Sequence, residues 1–232
     1  MLQSNQSVAN FRSYPFCSMM NVEFFKKLSS GGIMRQLCVG VGVFVLVFMA
    51  STAFADNMDD ALNAANFGDY KKAYKLWLVE AEKGSAVAQA NIGLLFGDGL
   101  GVPQSDKEAI KWYRMAAEQG MPRAQYYLGT TFEEGLGTPQ NYKEAAKNYR
   151  LAAVQGYANA QYKLGLLYLR GQGVVQSTES AYAWWSVAAS RGHKEAQRYK
   201  DSAQEQMTPK QIEIAQSMSQ GIAKQIWAEL GN

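Results

Sequence analysis

Few residues of this 232-residue chain have the chemistry to turn over a substrate. His193 is the single histidine, and Cys17 and Cys38 are the two cysteines. A protein zinc site takes three or four ligands of these types, so His193 without partners predicts no metal site. It reads as a solvent-facing histidine at a helix start, beside Lys194 and Glu195. Glu133 and Glu134 are adjacent carboxylates, but acid–base catalysis needs two carboxyls flanking a substrate. Neighbours on a helix diverge by about 100°, so the expectation is a solvated pair. The run Gly97-Asp98-Gly99-Leu100-Gly101 has the composition of a phosphate loop without the G-x-x-x-x-G-K-[ST] ending or a preceding strand. No S-x-x-K or G-x-S-x-G nucleophile motif occurs after residue 55. The chain therefore predicts no catalytic residue, no metal and no cofactor.

The elements that carry these residues follow a period. Ser85–Gly120, SAVAQANIGLLFGDGLGVPQSDKEAIKWYRMAAEQG, recurs thirty-six residues later as Met121–Gly156 and again as Tyr157–Gly192. A fixed period of this length marks stacked supersecondary units. In the first half of each copy, Ala88, Ile92 and Phe96 share one helical face. Ala124, Leu128 and Phe132 repeat them, as do Ala160, Leu164 and Tyr168. Glycine inside a helix costs about 1 kcal/mol against alanine. The recurrent Gly93, Gly129 and Gly165 therefore predict close approach of a neighbouring helix backbone. Gly99-Leu100-Gly101 and its echoes Gly135-Leu136-Gly137 and Gly171-Gln172-Gly173 read as helix ends and turns. A second helix follows with Ala109, Trp112, Tyr113, Ala116 and Ala117. Trp184-Trp185 aligns with Trp112-Tyr113, which places at least one tryptophan in the core and leaves the other as a surface anchor candidate. Each unit is a helix, a glycine turn and a helix, and stacking supplies its core.

The pattern A-Q-x-x-L-G-x-x-Y-x-x-G-x-G-V, followed by A-x-x-W-Y-x-x-A-A-x-x-G, resembles the Sel-like repeat (SLR) family, relatives of tetratricopeptide repeats. Asn148 departs from the tryptophan position in copy two, and Val175 stands where the first two copies have Pro103 and Pro139. The resemblance implies an all-α, right-handed α/α superhelix (solenoid) of stacked helix-turn-helix repeats. It also implies an adaptor that presents a concave surface, formed by the first helices, to a protein partner. The penicillin-like ligands proposed for cysteine-rich secreted relatives do not carry over, because the repeats here contain no cysteine.

Outside the repeats, residues 1–33 show no periodicity and read as an N-terminal extension upstream of a true start at Met34. Residues 34–55, MRQLCVGVGVFVLVFMASTAFA, combine a basic start, an apolar run and Ala53-Phe54-Ala55, the pattern of a signal peptide cleaved between Ala55 and Asp56. The competing reading is an uncleaved inner-membrane anchor, for which the apolar run falls short of the roughly 20 residues of a spanning helix. Residues 56–84 read as an N-terminal capping helix pair and 193–232 as C-terminal capping helices. Asp201 stands where the repeat has glycine, and Thr208-Pro209-Lys210-Gln211 carries an N-cap, a first-turn proline and a capping-box glutamine.

The chain carries +3, but Arg12, Lys26, Lys27 and Arg35 against Glu23 account for all of it, leaving 19 basic and 19 acidic residues after residue 55. Neutrality there argues against a nucleic-acid partner. The positions that differ between copies on the first helices, Asn91, Tyr126, Tyr127, Thr130, Tyr162, Lys163 and Arg170, are the partner-contact candidates. The functional expectation is a periplasmic or secreted interaction scaffold, free of the membrane after cleavage, binding protein partners in the cell envelope. The alternative is a protein that binds or processes peptidoglycan.

Overall fold

In the computed structural model the described residues are 57–230, and they form ten helices and no strand. The extension at 1–33, the leader at 34–55 and the Ala55–Asp56 junction lie outside them. A first helix, α1, covers 57–66. It is followed by α2 (Tyr70–Glu82), α3 (Ala86–Asp98), α4 (Asp106–Glu118), α5 (Pro122–Glu134), α6 (Tyr142–Val154), α7 (Ala158–Arg170), α8 (Thr178–Ser190), α9 (Lys194–Gln206) and α10 (Pro209–Leu230). The structure is an all-α repeat solenoid. Among the described residues no helix is long and apolar enough to cross a membrane.

From α2 to α9 every helix has 13 residues, because the same capping chemistry recurs at fixed positions. The second helices α4, α6 and α8 start at Ser105, Asn141 and Ser177, whose side-chain oxygens accept first-turn backbone N–H groups. The first helices α3, α5 and α7 end at Gly99, Gly135 and Gly171, each in the left-handed region. The loop glutamines Gln104, Gln140 and Gln176 then donate to the freed carbonyls of Gly97, Glu133 and Leu169 at 2.9, 2.8 and 2.8 Å. The apparent phosphate loop at 97–101 is thus a helix terminator.

The second glycine of each loop has a further cause. A Cβ at Gly137 would lie 2.8 Å from the backbone carbonyl carbon of Asp106, the first residue of α4. Gly101 meets Tyr70 and Lys71 in the same way at the start of α2. The loop of each repeat therefore presses on the start of the preceding second helix, and only glycine fits.

The mid-helix glycines depart from the expectation of backbone approach. What fills the notch is an aromatic ring from the second helix of the same repeat. A Cβ on Gly93 would sit 2.5 Å from the ring of Tyr113, and one on Gly129 would sit 2.7 Å from the ring of Tyr149. Trp185 occupies the notch at Gly165, and its indole N–H donates to the Tyr162 carbonyl at 3.1 Å. Around these rings lie alanines of both helices, with Tyr149 and Trp185 among the largest fully buried side chains. Trp184 is buried too, in the cluster against which Ile222 of α10 packs, so neither tryptophan is a surface anchor.

The ends of the array are built differently. α9 starts in repeat phase but buries only Ala196 and Ala203. The next helix, α10, packs along α8 and reaches α6 rather than pairing with α9. Its start is the expected capping box: Gln211 N–H donates to Thr208 Oγ1 at 3.4 Å, and the Thr208 N–H donates to Gln211 Oε1 at 3.0 Å.

Candidate functional site

The first helices α3, α5 and α7 present the sequence-derived candidates, and most of those side chains also join one repeat to the next. Ile92, Leu128 and Leu164 are buried at equivalent positions, and immediately before them stand the half-buried Asn91, Tyr127 and Lys163. The backbone geometry is the same three times while the chemistry changes from amide to phenol to ammonium.

At the middle of the array Lys163 Nζ lies 2.9 Å from Glu133 Oε2, with the two side chains 23% and 11% exposed. The same oxygen accepts from the Tyr149 hydroxyl at 2.5 Å, and Thr130 Oγ1 lies 3.1 Å from that hydroxyl. Glu133 is therefore no member of a solvated pair. The helical divergence turns Glu134 to solvent and Glu133 inward onto a cation of the next repeat. Burial, and then the charge and hydrogen bond of Glu133, raise the Tyr149 phenol far above its ordinary range.

Aromatic rings extend from this point. Tyr127 stacks on Tyr113 with centroids 5.2 Å apart. It meets Tyr126 edge-on at 5.4 Å, and Tyr126 lies 5.3 Å from Tyr157. Burial raises the phenols of Tyr113, Tyr126 and Tyr157 as well. Beside Asn91, whose Oδ1 accepts from Arg123, a groove of about 420 Å³ is lined by Met58, Leu62, Trp77, Val87 and Met121.

A second cavity, of about 450 Å³, lies where α7 meets α9, lined by Tyr162, Glu195, Arg198, Tyr199 and Ser202. His193 is packed behind Tyr162 of this cavity rather than left in solvent. Its side chain is 11% exposed, and Nδ1 accepts the Ala196 N–H at 3.1 Å as the cap of α9. Its ring stacks on Tyr162 at 4.7 Å. Tyr199 meets Tyr162 at 5.6 Å and Trp185 at 5.2 Å. Burial and the neighbouring Tyr199 push the Tyr162 phenol up to about 12.

Of the seven candidates, Arg170 alone is exposed, in the last turn of α7 where a cation suits the helix dipole. The other six are half-buried. Arg123, Glu133, Tyr157, His193 and Tyr199 join these candidates, with Tyr149 buried beneath them, without having been singled out as contact residues. Tyr199 was accessible from the period, since it falls thirty-six residues after Lys163. Arg123 with Asn91 and Lys163 with Glu133 cross between repeats, whereas Tyr149 meets Glu133 and Thr130 within one, and no motif encodes either kind of separation. Among the described residues no group of three or more His, Cys, Asp or Glu is placed to hold a metal ion.

This geometry defines a class: an α-solenoid with a chemically graded face on its first helices. The chain carries three Sel1 repeats, at residues 86–121, 122–157 and 158–193. Among solved structures it is similar to c5321, a protective antigen present in uropathogenic Escherichia coli strains, with an SLR fold. The TM-score is 0.68 at 29% identity, over 80% of this chain and 43% of that one. It is also similar to a Sel1 repeat protein from Oxalobacter formigenes, with a TM-score of 0.58 at 34% identity, over 60% of this chain and 57% of the other. The chain thus spans about half the length of these relatives. No curated protein matches it.

Proposed function

We propose that this protein is an exported interaction scaffold that binds a protein partner in the cell envelope through its first-helix face. The observation that carries this reading is the graded row Asn91, Tyr127, Lys163, set on the buried aliphatic row Ile92, Leu128, Leu164 beside grooves of about 420 and 450 Å³. A face that varies over a repeated core can recognise a specific partner, as extended solenoid surfaces do. The leader pattern at 34–55 and the neutral charge after it support an envelope setting. The stacked repeats, which build an extended surface, support binding without turnover.

The test has two parts. Intact-mass analysis of the fractionated protein is expected to find a species starting at Asp56 in the periplasm; a membrane species retaining residues 34–55 would instead make the array tethered. Crosslinking in envelope extracts is then expected to recover a defined protein. Tyr127→Ala should weaken its capture, and recovery of nothing specific would sink the reading. A cell-wall ligand is the second reading, favoured by the ring-lined cavity beside Tyr199, whose Glu195, Arg198 and Ser202 suit a polar ligand stacked on an aromatic. Failure of the purified protein to sediment with isolated peptidoglycan would remove it.

A further inference from the structure

The opposite face of the array, made by the second helices, carries its own repeated pattern. On α2 the residues Lys71, Lys75 and Val79 are exposed at spacings of one helical turn. On α4 the same places hold Lys107, Lys111 and Met115, and on α6 they hold Lys143, Lys147 and Leu151. The three apolar side chains are 45%, 44% and 44% exposed. Arg114 and Arg150 flank two of them and are exposed as well. Acidic residues temper the surface: Lys111 pairs with Glu108 at 2.5 Å and Lys147 with Glu144 at 3.8 Å. Across the three helices, nine Lys and Arg stand against six Asp and Glu.

On the fourth second helix, α8, the pattern is broken in a way that shows what such a face accepts. The equivalent residues are Glu179, Ala183 and Val187, and Ser186 replaces the arginine. α8 has one neighbour that α4 and α6 lack in comparable measure, the chain's own helix α10. Val187 is 4% exposed and Ala183 is fully buried. Glu179 Oε1 accepts from Gln211 of α10 at 2.8 Å. The apolar side of α10, Ile212, Ala215, Ile222 and Ile226, is the side turned inward. Where a helix docks, the lysines and arginine are absent and the apolar position is covered. Where none docks, the lysines surround an uncovered apolar residue.

We propose that the outer face of α2, α4 and α6 is a docking surface for an acidic amphipathic helix of a partner protein. The helix would lie between neighbouring second helices as α10 lies along α8. Its apolar stripe would cover Met115 and Leu151, and acidic residues on both flanks would meet Lys107 and Lys111 on one side and Lys143 and Lys147 on the other. Helix-in-groove recognition uses this combination of stripe and flanks, and the lysines set the sign of the partner. The surface is separate from the first-helix face, so one scaffold would hold two partners at once.

The experiment measures fluorescence anisotropy of the purified protein with two labelled synthetic helices. One has a leucine stripe flanked by glutamates; the other has lysines in place of the glutamates. The glutamate helix is expected to bind and the lysine helix not to bind. Met115→Glu with Leu151→Glu, both at exposed positions, should weaken binding about tenfold or more while leaving the melting temperature near that of the parent. Lys107→Glu with Lys143→Glu should shift preference toward the lysine helix. Equal binding of the two helices, no binding by either, or indifference to the Met115 and Leu151 changes would overturn the proposal. Self-association abolished by the same changes would assign the face to a second copy. Binding to anionic vesicles without binding to the glutamate helix would assign it to a membrane.

Discussion

Gln155 donates its side-chain amide to the side-chain oxygen of Gln125 at 2.8 Å, from the end of one repeat to the first helix of the same unit. Gln119 and Gln89 make the same bond at 2.8 Å one repeat earlier. Each inner glutamine in turn donates to a carbonyl of the preceding second helix: Gln89 to Ala81, Gln125 to Ala117 and Gln161 to Ala153. The A-Q pair of the repeat motif is therefore a polar staple between successive units. It satisfies groups that stacking would otherwise bury unpaired.

The staple is incomplete in copy three. Arg191 occupies the position of Gln119 and Gln155, and the buried Gln161 Oε1 has no hydrogen-bond partner. Arg191→Gln restores the donor and should stabilise the protein by about 1 kcal/mol. Urea denaturation reads this directly, and an unchanged or lowered midpoint would show that the third staple is not missing its partner.

Two glycine-to-alanine changes should move stability in opposite directions. Alanine at Gly129 gains about 1 kcal/mol of helix propensity, but its Cβ falls 2.7 Å from the buried Tyr149 ring. Overpacking costs about 1–3 kcal/mol, so the net effect is a loss. Gly221, inside α10, is exposed and has nothing within 4 Å of a built Cβ, so Gly221→Ala should gain about 1 kcal/mol. Thermal melts of the two variants check the opposed signs.

High pH should unfold the array. Burial raises the phenols of Tyr113, Tyr126, Tyr149, Tyr157 and Tyr162, the last to about 12. An unfolded tyrosine loses its proton near pH 10. Above that pH the unfolded chain binds fewer protons than the folded one, so stability falls as pH rises. Below pH 10 this contribution is fully present, and it is lost toward and beyond pH 12. Circular-dichroism melts should show a steep drop above pH 10 that becomes shallower in Tyr149→Phe.

His193→Ala removes the acceptor for the Ala196 N–H and the ring stacked on Tyr162, and should cost about 1 kcal/mol or more. His193→Asn restores a capping acceptor without the stack and should recover most of the loss. If asparagine recovers none of it, the stacking on Tyr162 is what matters. Hydrogen exchange confined to α9 would report the same comparison locally.

The helix pairs, their glycine ends and the capping box at Thr208 were legible because each is decided within a few residues of chain. Glu133 and Lys163 lie 30 residues apart, and Arg123 and Asn91 lie 32 apart. Neither pairing is visible to a helical or thirty-six-residue period, because the stacking angle between units selects which positions meet.

The sequence by itself determined the repeat, its period and the residues at each register, since hydrophobic spacing and turn chemistry act locally. Tertiary structure alone decided that aromatic rings fill the glycine notches and that His193 is covered. It also decided that α10 lies back along α8, leaving the outer faces of α2, α4 and α6 open. Those outcomes depend on which surfaces are brought together when the units stack, and burial there overrides what each residue would do alone.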